Sequence, residues 1–149
     1  MFNVVLVRPE IPPNTGNIGR LCLATQSTLH LIKPLGFSLD DRQLKRAGLD
    51  YWNEVSLRLW DSFETLRESQ LPGANYFFLT TKSKHRYYHA KFRRGDFLVF
   101  GSETKGLAES LLAANNDRCI CIPMNRTRSL NLATAVGIVL FEAVRQQNC

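Results

Sequence analysis

Short apolar runs alternate with helix-like stretches along this chain, and that alternation constrains its fold more than any other feature. Asn3–Val7, Leu29–Ile32, Tyr76–Thr80, Phe97–Phe100 and Cys119–Ile122 read as strands, with Glu54–Leu59 as a further one. Between and after them, Asn17–Thr25, Asp40–Ala47, Ser62–Ser69, Leu107–Ala114 and a last segment from Asn131 to Gln147 read as helices. Parallel neighbours need a crossover of a dozen or more residues, which a helix supplies. The pattern therefore predicts an α/β fold, a mostly parallel sheet flanked by helices. Its 149 residues show no repeat, low-complexity tract or linker, so a single domain spanning residues 1–149 is expected.

The last helix carries a second constraint. Leu132, Ala135, Val136, Val139, Leu140 and Ala143 recur at helical spacing, while Ala133, Ile138 and Phe141 occupy the other side. A helix apolar on nearly every side is covered on every side. A partner subunit is the simple expectation; a central core helix is the alternative.

Composition removes several function classes. Hydrophobic residues make up 44% and charged residues 21%, which argues against disorder. No apolar run reaches the ~20 residues of a membrane helix. The N-terminus reads as a strand, without the charged start and cleavage site of a signal peptide, so a cytoplasmic protein is expected. Cys22, Cys119, Cys121 and Cys149 form no C-x-x-C pair, and His30, His85 and His89 are not spaced as ligands. No metal site is expected.

The net charge of +6 suggests a polyanionic partner. Six cations (Lys82, Lys84, Arg86, Lys91, Arg93 and Arg94) fall within residues 82–94, with no acidic residue among them. His85, Tyr87, Tyr88 and His89 are interleaved. Cations supply phosphate affinity and rings stack on bases. A solvated basic loop is the plainer reading of the same stretch.

Ligands of open α/β sheets bind at the carboxyl ends of strands, and three strand ends stand out. The first is Pro9-Glu10-Ile11-Pro12-Pro13-Asn14-Thr15-Gly16-Asn17-Ile18-Gly19-Arg20. It reads as a stiff turn into a helix, with Asn14, Thr15 or Asn17 as cap and Arg20 about one turn inside. The second is Gly101-Ser102-Glu103-Thr104-Lys105-Gly106-Leu107. It is neither a phosphate loop nor G-x-G-x-x-G, which argues against a nucleoside triphosphatase or an ordinary dinucleotide fold. The third runs from Ile122-Pro123-Met124 to Ser129-Leu130-Asn131, where Ser129 and Asn131 are candidate N-caps. No Ser-His-Asp set or catalytic carboxylate pair is evident.

These three segments, in this order, closely resemble the SPOUT class of RNA methyltransferases, in its SpoU branch and most closely the small YibK/TrmL-type enzymes. Pro34-Leu35-Gly36-Phe37 and Lys45-Arg46-Ala47-Gly48-Leu49-Asp50-Tyr51 add to the match, which spans essentially the whole chain. The resemblance implies a sheet whose C-terminal part is tucked through a loop as a deep trefoil knot. It implies S-adenosylmethionine as methyl donor and S-adenosylhomocysteine as product, with no metal. It maps Leu79, Thr80, Gly101, Ile122, Met124, Ser129 and Leu130 onto cofactor positions. It maps Arg20 onto the catalytic arginine, and implies a homodimer through the last helix in which Arg20 approaches the partner's cofactor.

The implied reaction is methylation of a ribose 2′-hydroxyl in tRNA, at the wobble cytidine or uridine of leucine tRNA anticodons. Lys45, Arg46, Lys82, Arg86, Arg126 and Arg128 are candidate RNA contacts. Asn17, Glu103 and Asn131 are candidate supports, Glu103 by tying down its glycine loop or by touching substrate, and Asn131 as a cap or an active-site positioner. Phe141 stands where relatives often carry tyrosine. The rival readings are a non-catalytic RNA-binding protein of the same fold and a methyltransferase acting on ribosomal RNA.

Overall fold

The computed structural model describes residues 1–148; Cys149 lies outside them. Six strands, β1 (Asn3–Val7), β2 (Thr28–Ile32), β3 (Leu57–Trp60), β4 (Tyr76–Leu79), β5 (Phe97–Phe100) and β6 (Cys119–Ile120), form one sheet in the order β3-β2-β1-β5-β4-β6. Every pairing is parallel, as the alternation requires. The chain winds outward through β1, β2 and β3, then crosses over to build the other half. The topological switch falls between β1 and β5.

Period-two alternation sorts the strand residues onto two faces. Val4, Leu6, Leu29, Leu31, Leu98 and Phe100 face the layer made by α1 (Pro12–Ala24) and α5 (Leu132–Asn148). Val5, Ile32, Phe78, Phe97 and Val99 face α3 (Phe63–Glu68) and α4 (Glu109–Ala114). Both sets are essentially inaccessible to water, as a sheet covered on both faces demands. The remaining helix, α2 (Arg42–Gly48), packs along α1, capped by Asp41, whose carboxylate accepts from Gln43 N at 2.8 Å and Leu44 N at 3.3 Å.

Several boundaries depart from expectation. α1 starts at Pro12, not Asn17, so the supposed proline turn is the first turn of the helix. Proline suits that place because the first N–H groups of a helix have no internal partner. Asn14, Thr15 and Asn17 therefore lie inside the helix. None is its cap: the N-cap position is Ile11, which makes no side-chain cap bond. Arg20 sits more than two turns in, not one. Residues Leu49–Glu54 form a 3-10 helix where a strand was expected to begin. The last strand ends at Ile120, and α4 begins at Glu109 rather than Leu107.

In α5 the buried stripe is the one read from spacing: Leu132, Ala135, Val136, Val139, Leu140 and Ala143. Its other side is half covered, and Phe141 is 46% exposed.

Two positions in this frame give direct tests. A Cβ on Gly16 would lie 2.2 Å from Leu44 O, where α1 crosses α2. Helix propensity alone favours alanine by about 1 kcal/mol, but overpacking costs about 1–3 kcal/mol or more. Gly16→Ala is expected to lower the denaturation midpoint. A raised midpoint would show that the helices separate freely.

His30 is buried on β2, its Nδ1 accepting from Trp60 Nε1 at 3.0 Å and its Nε2 paired with Asn3 Oδ1 at 2.9 Å. Burial, helped by Arg58, pushes its pKa down to about 4 from 6.5. The unfolded chain thus binds the extra proton first as pH falls. Stability present above pH 6.5 is lost progressively towards pH 4, by an amount on the order of 3 kcal/mol. Urea titrations of wild type and His30→Phe across that window should differ in slope; equal slopes would remove His30 from the account.

Candidate active site

The carboxyl ends of β4, β5 and β6 open into a pocket of about 500 Å3. Leu79 and Thr80 line it at the exit of β4, Gly101 at the exit of β5, and Ile122 and Met124 beyond β6. Ser129 and Leu130 close it before α5, and Leu132 and Ala135 of that helix also line it. All seven positions mapped onto cofactor contacts are therefore gathered around one cavity, although up to 51 residues separate them in the chain.

The glycine loop folds on itself. Ser102 and Gly106 form an antiparallel bridge, with Gly106 N donating to Ser102 O at 3.0 Å. A Cβ on Gly101 would lie 2.1 Å from Gly106 C, and Gly106 itself has φ +66°. Both glycines are thus required by backbone geometry: the first by close approach, the second by a left-handed turn.

A chain of hydrogen bonds ties the three motif segments together. The Glu103 carboxylate accepts from Glu10 N and Ile11 N, each at 2.8 Å, and from Asn14 Nδ2 at 3.2 Å. This is the substitute for the missing side-chain cap on α1: an acid from the glycine loop sits at that helix N-terminus, where a negative charge is favoured. In return, the Glu10 carboxylate accepts from Thr104 N at 3.1 Å and Thr104 Oγ1 at 2.7 Å, and these bonds hold its pKa below the ordinary value. Asn14 Oδ1 accepts from Asn131 Nδ2 at 3.0 Å, and Asn131 Oδ1 accepts from Thr134 N at 3.2 Å.

Asn131 is thus a cap of α5 and a strut to α1 at once. Glu103 does accept backbone N–H bonds, but they come from the segment before α1 and not from its own glycine loop. The Glu10–Thr104 half of the exchange was not anticipated. Its only sequence signal is an acid placed just before a proline-started helix.

Arg20 lies elsewhere. With Asn17, Leu21 and Ala24 of α1 it lines a separate groove, completed by Tyr51 and by Asn131, Ala133 and Thr134. Its guanidinium is exposed and Nη1 donates to Ala47 O at 3.5 Å. Asn131 lines both the groove and the pocket.

Among the candidate RNA contacts, Lys82 and Arg128 stand at the pocket. Lys82 pairs with Glu109 at 2.8 Å and Lys45 with Asp40 at 3.7 Å. Arg86 Nη1 donates to Tyr88 Oη at 2.9 Å. Arg46 and Arg126 are exposed, the latter in a left-handed turn at φ 68°.

A family model described as the SpoU rRNA Methylase family matches residues 1–141. A tRNA (cytidine(34)-2'-O)-methyltransferase from Burkholderia cenocepacia (strain HI2424) is 51% identical over 151 residues, which cover 98% of this chain and 96% of that one. A solved structure described as giving insight into the 2-OH methylation of C/U34 on tRNA superposes with a TM-score of 0.95 at 48% identity, covering 99% of this chain and 97% of its own. An AdoMet-bound rRNA methyltransferase from Sinorhizobium meliloti superposes with a TM-score of 0.85 at 26% identity, covering 97% of this chain and 56% of its own. Because the family match runs unbroken through all three pocket loops and both sides of the carboxylate exchange, this chain belongs to the SpoU methylase family.

Proposed function

We propose that this protein is a tRNA ribose 2′-O-methyltransferase that uses S-adenosylmethionine and acts on the wobble cytidine or uridine of leucine tRNA anticodons. The observation that carries the reading is Asn131, which borders both the strand-end pocket and the Arg20 groove. One residue thus links a cavity of cofactor size to a groove that presents the Arg20 guanidinium, where a nucleotide can lie.

The pocket's chemistry fits the cofactor. Leu79, Ile122 and Leu130 offer apolar walls, while Thr80, Gly101 and Ser129 present polar atoms and open backbone around them. S-adenosylmethionine supplies an electrophilic methyl group for the ribose 2′-oxygen. Arg20 has the chemistry to orient that hydroxyl or a flanking phosphate, and to stabilise negative charge as the proton leaves. A guanidinium is a donor and not an acceptor, so we assign it this role rather than that of base. Asn17 and Asn131 flank it in the groove.

We further propose that the enzyme is a single-domain homodimer carrying the family's trefoil knot. Two observations support the dimer: Arg20 lies outside its own chain's pocket, and Phe141 leaves an apolar face of α5 open. The cytoplasm, where tRNA is modified, is the proposed location; among the described residues no helix is long and apolar enough to cross a membrane.

Methyl transfer from radiolabelled S-adenosylmethionine to total tRNA and, in parallel, to ribosomal RNA, followed by digestion to nucleosides, tests the reading. Label is expected in 2′-O-methylcytidine or 2′-O-methyluridine. Label confined to ribosomal RNA, or cofactor binding with no transfer to any RNA, would sink it. Arg20→Lys keeps the charge but loses the planar fork, and is expected to lower kcat by roughly 100-fold or more with cofactor affinity intact. Full turnover by that variant would remove Arg20 from the mechanism. Glu103→Gln puts an amide among three donors, so it is expected to cost about 1–3 kcal/mol in stability. Calorimetry should also show weaker cofactor binding; unchanged binding would mean that the exchange does not shape the pocket.

A further inference from the structure

Residues 84–91 are neither part of the pocket lining nor a loose surface loop. Tyr87 N donates to Cys121 O at 2.8 Å, and Cys121 N donates to His85 O at 2.7 Å. These bonds make a parallel bridge between Arg86 and Cys121, so the segment extends the sheet past its edge strand β6. Neighbouring strands lie about 4.8 Å apart. The segment therefore runs one strand spacing from the chain that enters the pocket at Ile122, the residue after Cys121.

At this edge the side chains form an ordered array. The Tyr88 ring meets Tyr87 edge-to-face at 5.1 Å between centroids and His89 edge-to-face at 4.7 Å. Arg86 donates to the Tyr88 hydroxyl at 2.9 Å. The ring is thus contacted by both of its sequence neighbours and at its tip, yet 39% of the residue faces solvent. Residues 82–94 themselves carry no acidic side chain. Lys84, Arg86 and Lys91 are exposed, and none of the three forms a salt bridge among the described residues.

We propose that Tyr88, braced by Arg86 and His89, is a stacking platform for an unpaired base of the substrate RNA beside the methylated nucleotide, with Lys84 and Lys91 on the flanking phosphates. The assignment rests on the methyltransferase reading above and names a binding surface for its substrate. An aromatic face accepts any base, and cations beside it track the backbone. Pinning the ring in advance lowers the entropy lost on stacking. A structured hairpin without an exposed base would gain nothing from such a face, so the partner is the single-stranded loop of a folded RNA.

The test uses the full-length protein, labelled S-adenosylmethionine and leucine tRNA anticodon stem-loops with cytidine or uridine at the wobble position. Tyr88→Ala is expected to raise KM for the RNA by roughly 5- to 100-fold, with kcat and cofactor affinity held. Tyr88→Trp, which keeps an aromatic face, is expected to restore KM. Lys84→Gln and Lys91→Gln should each reduce the slope of log affinity against log salt by about 0.7–1. An unchanged KM for Tyr88→Ala overturns the platform while leaving the methyltransferase reading intact. No transfer by wild type overturns both. A measurement independent of variant folding is photocrosslinking of wild type to RNA carrying 4-thiouridine beside the target. An adduct on residues 84–91 supports the platform, and adducts only elsewhere overturn it.

Discussion

The site depends on a reciprocal exchange of carboxylates. Glu103 reaches from the glycine loop to the backbone that opens α1, and Glu10 reaches back to Thr104. Each acid meets N–H donors that would otherwise need water. Bonds from N–H groups to a carboxylate are among the stronger ones. Asn14 then passes the connection to Asn131, and Asn131 to the first turn of α5. Loops leaving three strand ends are thereby held in one arrangement, and the pocket is the space they enclose. Because the partners are some 90 residues or more apart, this holds only once the sheet has formed.

The sheet makes that arrangement possible. With all strands parallel, every carboxyl end lies at the same edge, so the exits of β4, β5 and β6 are neighbours without further design. α1 and α5 share one face of the sheet, which brings Arg20 on one helix and Asn131 before the other to a common groove. The same packing turns Phe141 and Ile138 away from the core. An arginine outside its own pocket and a phenylalanine outside its own core are two consequences of one layer, and both support the proposed homodimer.

Much of this was legible in the sequence. Alternating apolar runs identify a parallel α/β sheet because a fully buried strand must be apolar throughout, and Phe97–Phe100 shows that most plainly. The stripe along α5 is legible for the same reason. The motif order led to the positions that line the pocket. What misled was local: Pro12 and Pro13 read as a turn, because proline breaks helices everywhere except at their start. Asn14 read as a cap because its chemistry suits one, yet its amide is spent on Glu103 and Asn131.

Residue order alone specifies the fold class, the core stripe and the set of segments that gather at one sheet edge, since periodicity and residue type act over a few turns and strands. What those segments do to one another follows from their packing. It made Glu103 the anchor of α1 and Glu10 the anchor of the glycine loop, placed Arg20 outside the pocket and bridged Arg86 to Cys121. The physical reason is range. Burial pattern and backbone propensity are written in neighbouring residues, whereas a hydrogen bond between residues 10 and 104 depends on where six strands have put their ends.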